Sequence, residues 1–491
     1  MTDIQILKRL FNDYTKKYIF QILLALIFSL ILAASTSSIA YLLDPAIKKL
    51  FIEKNQSLML FIPLGIIVAF AGKGLSLYLA KTIMISVGEE VRRGLQVDMM
   101  KNLINADTET IEKRHSGKAI TNLIGDVNYM TILVSVGILN LFKDSLTLVG
   151  LLAVMFYQNW KLSLIAIVMI PLASFFARFL GKRVSKVTVQ AMDMAAVLNS
   201  HLMEIFRNHK LIKVFQKETY ETSRTNKALE EFKEKSKKLA TLYAKSSPIM
   251  EFLTGIMIAI LIYYSGNLII DGEIAINNFF SFLAAMMLAY QPVKTLTKVN
   301  VAIGQGLAAS ERIIPIIDIE NKINPNSESQ DLVFSDGDVV FNKVKFAYKA
   351  NLENVVLKDV SLKFRGGKMT ALVGYSGSGK STILNMIPRI YLPHKGNIEI
   401  DGQDIANKSL ASIRKEISIV DQNTTLFDDT IKNNIKYAKP EANDDEVFKA
   451  AELAMCNEFI EKLDNGYDTI IGENGVKLSG GEKQRLSIAR A

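Results

Sequence analysis

The chain has 491 residues, of which 49% are hydrophobic and 22% are charged, and its formal net charge is +9. This length allows roughly two to four domains. A net positive charge is typical of proteins that bind nucleic acid or an anionic membrane surface, and of membrane proteins with basic cytoplasmic loops. The long apolar runs described next favour the membrane protein. The single cysteine, Cys456, excludes an internal disulfide and is expected to be a buried small hydrophobe.

Six apolar stretches are long enough to cross a bilayer, which takes about 20 residues of helix. They cover residues 19–43, 58–80, 132–157, 160–181, 249–270 and 277–300. Buried core helices usually show a polar face every third or fourth residue, whereas residues 22–34 have almost none. The pattern predicts six membrane-spanning helices, and the first run is too long for a signal peptide.

The links between these spans differ in length and charge. Three links are short and carry few basic residues, whereas residues 81–131 and 182–248 form long links with many lysines and arginines near the span ends. Because an excess of positive charge marks the cytoplasmic side, both termini are expected to be cytoplasmic. The long links are expected to be helical extensions of the spans that reverse within residues 106–125 and 206–218.

Three lysines interrupt the apolar runs: Lys73, Lys143 and Lys294. Counted from the outer ends of their spans, all three lie roughly 21–24 Å deep at about 1.5 Å per residue. In a hydrocarbon core of about 30 Å this is one shared level in the inner leaflet. The spacing predicts an inward-facing basic ring for a substrate with phosphate or carboxylate groups. Two alternatives stay open: each lysine could reach the headgroups separately, or Asp144 could neutralise Lys143.

The composition changes after about residue 320, and the Asn-, Ser- and Pro-containing residues 321–330 are typical of a linker. The pattern predicts an α-helical membrane domain at residues 1–320, followed by an α/β nucleotide-binding domain at residues 331–491. Strands are predicted in that second domain at residues 339–346, 368–373, 397–400 and 417–420.

The strongest motif is a phosphate-binding loop, GYSGSGKS, at residues 374–381, which matches G-x-x-x-x-G-K-[ST] in full between a predicted strand and a predicted helix. Glycines let the backbone wrap the phosphates, while Lys380 supplies charge and Ser381 offers a hydroxyl to Mg²⁺. The expected cofactors are therefore ATP and Mg²⁺. The residues assigned to the nucleotide are Gly374, Tyr375, Ser376, Gly377, Ser378, Gly379, Lys380, Ser381 and Thr382.

A second motif, LSGGEKQR at residues 478–485, follows about 100 residues later. The pair of motifs resembles the ATP-binding cassette transporters, and the resemblance covers nearly the whole chain. One span domain fused before one nucleotide domain is similar to the half-transporters of that family. The resemblance implies a homodimer that sandwiches two ATP molecules, each between the phosphate-binding loop of one chain and the signature of the other. The signature residues concerned are Ser479, Gly480, Gly481 and Glu482.

The same resemblance assigns three further residues. Tyr348, an aromatic at the edge of the first predicted strand, matches the family's adenine-stacking residue, and stacking suits a flat side chain there. Gln422 matches a glutamine linked to Mg²⁺ and to coupling, so that Lys380 and Gln422 are the catalytic candidates and Ser381 and Gln422 the metal candidates. Glu473 matches the loop that meets the partner's cytoplasmic helices.

Within the family, residues 156–163, 432–438 and 465–476 resemble the lipid A export branch. That branch carries basic residues in an inner cavity that meet lipid phosphates, and Lys73 and Lys143 fall where it typically has arginine. Gln291 stands where that branch is expected to have arginine. The lysines also differ from arginine, because a lysine cannot make the two parallel hydrogen bonds of a guanidinium group. The implied function is ATP-driven flipping of a lipid A-like or other amphipathic compound across a bacterial inner membrane, with a multidrug or peptide exporter as the alternative.

The printed sequence ends at Ala491, before the place where the resemblance puts the Walker B carboxylates and the switch histidine. Because phosphoryl transfer depends on such groups, a longer form is expected to hydrolyse ATP and residues 1–491 alone are not. A nucleotide-binding membrane subunit without hydrolysis is thus a third alternative. The spans exclude a soluble chromosome-type ATPase, an importer would usually keep the two domains on separate chains, and no nucleic-acid partner is expected.

Overall fold

The computed structural model describes residues 2–112, 116–319, 323, 330–348, 355–422 and 424–491. It divides into two compact units. The first consists of Met1–Asn105 with Arg114–Ile319, and the second of Ala106–Lys113 with Glu320–Ala491. A short stretch of the first long link therefore belongs with the C-terminal unit.

The first unit is helical. The helices up to residue 319 are α1 (Asp3–Leu10), α2 (Ile19–Pro45), α3 (Phe61–Asn105), α4 (Thr108–Glu112), α5 (Ser116–Thr121), α6 (Val127–Ile132), α7 (Ile138–Gln158), α8 (Trp160–Arg207), α9 (His209–Val214), α10 (Glu218–Ile270) and α11 (Ile276–Ile317). All belong to the first unit except α4, which lies in the second. π-helical turns join several of them, at Phe11–Thr15, Ala46–Ile52, Asn122–Asp126 and Leu133–Gly137.

Each predicted span lies in a helical segment: the first two in α2 and α3, the third in α6 and α7, and the rest in α8, α10 and α11. Over the residues described, three segments are long and apolar enough to cross a membrane: Asp3–Ile52, Gln56–Asn105 and Ala119–Gln158. Three helices continue well past the predicted spans, since α3, α8 and α10 are 45, 48 and 53 residues long. They break at the predicted reversals, where α3 and α8 end and α10 begins.

Small residues let α2 approach its neighbours closely. A Cβ added at Gly150 of α7 would lie 2.4 Å from the Ser37 hydroxyl oxygen of α2, so only glycine fits without a shift. Such small-residue contacts are common where helices pack inside a membrane, because van der Waals packing drives their association. Because α7 packs against α2 in this way, the position of α7, which carries Lys143, is held by α2.

A buried polar network joins the ends of α2, α7 and α11. The Asn278 amide donates to Gln158 Oε1 at 2.7 Å, the Gln158 amide donates to the Ser281 hydroxyl at 3.0 Å, and Ser281 donates to the Ala40 carbonyl at 2.8 Å. The Asn277 amide donates to the Asp44 carboxylate. Since Gln158 is 6% exposed, its hydrogen bonds replace water contacts that the interior cannot supply.

Replacing Gln158 with leucine is expected to lower the free energy of unfolding by about 1–2 kcal/mol, because the change removes the acceptor of the Asn278 amide and the donor to the Ser281 hydroxyl. Denaturation of the purified protein in detergent, followed by circular dichroism, measures the difference. The matched control is Gln21→Leu, since Gln21 of α2 is exposed. Equal stability of the two variants would contradict the structural role of the network.

The second unit contains a four-stranded antiparallel sheet in the order β2-β1-β3-β4. Its strands are β1 (Val339–Phe346), β2 (Leu357–Phe364), β3 (Lys395–Ile400) and β4 (Gln403–Asp404). Its helices are α12 (Lys380–Met386), α13 (Leu410–Lys415), α14 (Ile431–Lys436), α15 (Asp444–Leu453), α16 (Asn457–Ile460) and α17 (Gly480–Arg490). One core packs the sheet against α12 through Phe341, Ile398 and Met386, and a second core joins α14 to α17 through Ile431 and Leu486.

Two of the four predicted strands are corrected by the structure. Residues 339–346 and 397–400 are in β1 and β3, but residues 368–373 and 417–420 form no strand. A strand exists only where its backbone pairs with a neighbour, and neither segment is paired among the described residues. The side chains of Met369 and Val373 are accordingly exposed, at 101% and 92%. The apolar pattern alone could not show whether a pairing neighbour was present.

Cys456 is fully buried, which confirms its predicted role as a small hydrophobe. Burial raises the pKa of its thiol to about 11, so that the thiol stays protonated at neutral pH. At pH 7 we expect alkylation of the folded protein to be about a hundredfold slower than that of an exposed cysteine, since the thiolate is the reactive form. Maleimide labelling followed by mass spectrometry checks this, and labelling at the same rate before and after unfolding would contradict it.

Candidate functional site: the phosphate-binding loop, the signature helix and the membrane lysines

The phosphate-binding loop leads into α12, and its residues 374–378 are exposed, whereas Gly379 is buried. Gly379 has φ +88°, a left-handed conformation that side chains disfavour. A Cβ there would also lie 2.8 Å from Leu357 Cδ2. The position therefore requires glycine on two grounds, and the resulting turn directs the backbone of the loop towards the start of α12.

The Lys380 ammonium lies within the curve of this loop. Its Nζ donates to the carbonyl oxygens of Gly374 and Tyr375 at 2.8 and 2.9 Å, and it is 3.5 Å from the Ser378 hydroxyl. A cation surrounded by a glycine-rich backbone turn suits the oxygens of a phosphate chain. Ser381, the next residue, is exposed and offers the hydroxyl that a phosphate-bound Mg²⁺ takes as a ligand. The residues present thus fit both ATP and Mg²⁺.

An open cavity of 580 Å³ lies beside the loop in the same unit. Lys380 and Ser381 line one part of it, and Arg365, Lys368 and Thr370 line another. Three basic side chains in one cavity favour an anionic occupant.

Tyr348 is brought next to the first turn of α12. Its hydroxyl lies 2.9 Å from the Thr382 hydroxyl oxygen, and its ring meets those of Phe346 and Tyr391 edge-on, with centroids 5.1 and 5.4 Å apart. Tyr348 as a whole is 40% exposed, which leaves surface for a stacked base. Tyr348 is predictable from its place at the end of a predicted strand, whereas nothing in the residues around Tyr391 marks it locally.

The signature forms the start of α17. The Ser479 backbone N–H and hydroxyl each donate to the Glu482 carboxylate at 2.7 Å, and the Glu482 N–H returns a bond of 3.4 Å to the Ser479 hydroxyl. These bonds from Ser479 lower the pKa of Glu482 and keep it ionised. Gly480 and Gly481 have open space where a Cβ would stand. Glu482 therefore stabilises the helix start, while the two glycines leave that start accessible.

The structure does not bring every candidate to the loop. Gln422 is exposed, and within the described part of the chain its side chain makes no hydrogen bond. No hydrogen bond or ion pair among the described residues joins the signature to Lys380 or Ser381. Glu473 begins a 3₁₀ turn and is exposed. Gln422, Glu473 and the signature belong to the same unit as the phosphate-binding loop. Among the described residues of a single chain, they do not form one site with that loop.

In the membrane unit, Lys143 of α7 is paired with its neighbour. Its Nζ lies 2.6 Å from Asp144 Oδ1, and the two side chains are 14% and 5% exposed. This is the neutralising contact that was one of the two alternatives for Lys143. Lys73 of α3 is half-buried. The Lys294 ammonium lies over the Tyr290 ring, 5.7 Å from its centroid.

Comparison with known proteins agrees with these features. Residues 22–293 match the family described as "ABC transporter transmembrane region", and residues 357–491 match "ABC transporter". A protein of Syntrophus aciditrophicus named "ATP-dependent lipid A-core flippase" is 37% identical over 95% of this chain and 77% of its own length. A protein of the same name from Desulfotalea psychrophila is 36% identical over 100% of this chain and 85% of its own length.

Among solved structures, a bacterial Atm1-family ABC exporter with ATP bound matches with a TM-score of 0.83 and 24% identity, over 96% of this chain and 83% of that one. This likeness concerns the fold and shows the exporter arrangement of a helical membrane unit followed by a nucleotide-binding unit. The chain belongs to the ABC transporters, a family of ATP-binding membrane proteins, and its enzymatic class is that of the ATP-driven translocases.

Proposed function

We propose that this protein flips a phosphate-bearing lipid of the lipid A type from the inner to the outer leaflet of a bacterial inner membrane, driven by ATP. The observation that carries the substrate class is the position of Lys73, a half-buried cation within the apolar part of α3. A cation within an apolar helix costs a few kcal/mol unless an anion compensates it, and Asp144 compensates Lys143 whereas no ion pair among the described residues includes Lys73. The flippase names of the relatives point to the same class of substrate.

The proposed assembly is a homodimer with cytoplasmic termini, in which residues 1–320 form the membrane domain, 321–330 the linker and 331–491 the nucleotide domain. In each nucleotide site, the phosphate-binding loop and Thr382 would hold the phosphates, and Tyr348 the adenine. The signature, Ser479 to Glu482, would face the nucleotide of the other copy. Ser381 and Gln422 would hold Mg²⁺. The open space beside Gly480 and Gly481 supports contact between the start of α17 and a molecule outside this chain.

Binding of lipid A to the purified protein tests the substrate class. Native mass spectrometry of the full chain in detergent would compare lipid A with the same lipid after removal of both phosphates. We expect the phosphorylated form to bind at least about tenfold more tightly, since one charge-assisted contact contributes about 1.5–3 kcal/mol. Equal affinities would refute the proposed role of the lysines.

A multidrug or peptide exporter is the second candidate. The Lys143–Asp144 pair favours it, because a paired lysine presents little net charge to a substrate. A neutral amphipathic compound that competes with lipid A for binding, with no dependence on the phosphates, would support this alternative.

A further inference from the structure

We infer that Tyr290 of α11 determines specificity beside Lys294: its ring holds the Lys294 ammonium in place, and its hydroxyl donates a hydrogen bond to an anionic group of the substrate. The inference rests on the proposed function, because it takes the substrate to be an anionic lipid. It adds a neutral donor to the lysines and separates the roles of the two ends of one side chain.

The ring of Tyr290 lies beneath the ammonium of Lys294. The two residues are four positions apart on α11, so their side chains lie on the same face of the helix. The Nζ of Lys294 is 5.7 Å from the centroid of the ring, within the distance at which the face of an aromatic ring attracts a cation. Because a lysine loses much rotamer freedom when it is ordered, this attraction places the charge before a substrate binds.

The hydroxyl of Tyr290 is buried, and it has no hydrogen-bond partner among the described residues. A phenol can donate one hydrogen bond, and a buried donor that stays unpaired lowers the stability of the fold. Native proteins keep few such groups, so each one calls for an explanation such as a role at a functional site. A substrate oxygen that accepts from this hydroxyl supplies that explanation.

The local structure of α11 gives this hydroxyl access to a substrate. Tyr290 as a whole is only half-buried, so the packed core does not enclose the side chain. Pro292, two residues further on, has no N–H and leaves the carbonyl of Leu288 without its usual helical donor. The backbone at Tyr290 is therefore less constrained than in an uninterrupted helix, and rotation of the side chain brings the hydroxyl to the substrate.

The two donors are placed one after the other along the path of transport. Four residues of helix correspond to about 6 Å, and Tyr290 is nearer than Lys294 to Ile276, where α11 begins at its predicted outer end. A phosphate carries several acceptor oxygens, so a cation and a phenol on adjacent turns can bind the same group. A phosphate that moves outward from Lys294 therefore meets the hydroxyl of Tyr290 next.

Tyr290→Phe tests the hydroxyl, because it keeps the ring for Lys294. Native mass spectrometry of the full chain in detergent compares lipid A with the same lipid stripped of its phosphates. We expect the variant to bind phosphorylated lipid about tenfold more weakly, as for one hydrogen bond to a charged group, and the stripped lipid within about twofold of the unmodified protein. Its thermal midpoint without lipid should equal or exceed that of the unmodified protein, since an unpaired hydroxyl is removed.

Tyr290→Leu and Lys294→Ala test the ring. Tyr290→Leu removes ring and hydroxyl together, and should bind phosphorylated lipid about threefold more weakly than Tyr290→Phe, on the scale of one cation–π contact. When both are combined with Lys294→Ala, this difference should vanish, because no ammonium is left to place. Tyr264→Phe is the matched control, since Tyr264 is another half-buried tyrosine of the membrane unit, on α10.

If the unmodified protein prefers phosphorylated lipid and Tyr290→Phe binds it equally well, the inference is overturned and the proposed function stands. A loss of stability in Tyr290→Phe that accompanies the loss of affinity would also overturn it, because the hydroxyl would then be structural. If the unmodified protein binds both lipids equally, the proposed function is refuted, and dodecyl phosphate becomes the probe. Weaker binding of dodecyl phosphate to Tyr290→Phe would support the anion contact, and equal binding would contradict it.

Discussion

Lys380→Ala is expected to abolish nucleotide-dependent activity. The Nζ of Lys380 is the cation within the curve of the loop, bonded to Gly374 and Tyr375, and alanine leaves no charge to meet the phosphates. Loss of one such electrostatic contact typically lowers a rate by about a hundredfold to a thousandfold. Binding of a fluorescent ATP analogue reports the loss of nucleotide affinity, and release of phosphate reports the loss of hydrolysis, both measured on the full protein.

The control for this variant is Lys415→Ala, since Lys415 is an exposed lysine at the end of α13 in the same unit. We expect it to bind nucleotide like the unmodified protein. If Lys380→Ala kept nucleotide affinity within a factor of about two, the assignment of residues 374–381 as the phosphate site would be wrong.

Lys73→Ala is expected to reduce the movement of a phosphorylated lipid by about tenfold or more, because it removes a charge-assisted contact in a region of low dielectric. Lys73 has a larger expected effect than Lys143, since Lys143 already has Asp144 as a partner. Lys73→Arg should retain activity, as arginine keeps the charge and adds a bidentate donor. The measurement is the rate of lipid flipping in proteoliposomes.

Lys101→Ala serves as the control for Lys73→Ala, because Lys101 is on the same helix, α3, and exposed. Transport of a neutral amphipathic compound should be unaffected by Lys73→Ala. A variant that moves the phosphorylated lipid at the normal rate, or that loses neutral and anionic compounds equally, would be evidence against an anion site at Lys73.

Local motifs were predictable from the sequence, and contacts distant along the chain were not. The phosphate-binding loop could be assigned because its chemistry lies in eight consecutive residues, and the Lys143–Asp144 pair because the two are adjacent. The shared depth of Lys73 and Lys143 stays a prediction, made by counting residues along two apolar helices. In each case the regular rise of a helix or a short spacing along the chain determines where the residues lie.

The misses have a common physical cause, which is that they depend on a partner elsewhere in the chain. Residues 368–373 and 417–420 have the composition of buried strands, yet a strand also needs a paired backbone. The hydrogen bond that the Tyr391 hydroxyl donates to Glu112 joins positions 279 residues apart, so no local pattern could indicate it. The membership of residues 106–113 in the C-terminal unit was likewise not predictable, because the turn signals of residues 106–125 indicate a reversal but not which residues pack against it.

ATP-dependent flipping of lipid A in proteoliposomes tests the central claim most directly. The full protein would be reconstituted with labelled lipid A or with the same lipid stripped of its phosphates, and the fraction reaching the opposite leaflet measured with and without ATP. We predict ATP-dependent movement of the phosphorylated lipid alone, absent in Lys380→Ala. Movement of both lipids at the same rate, or of neither, in a preparation that binds ATP would contradict the account.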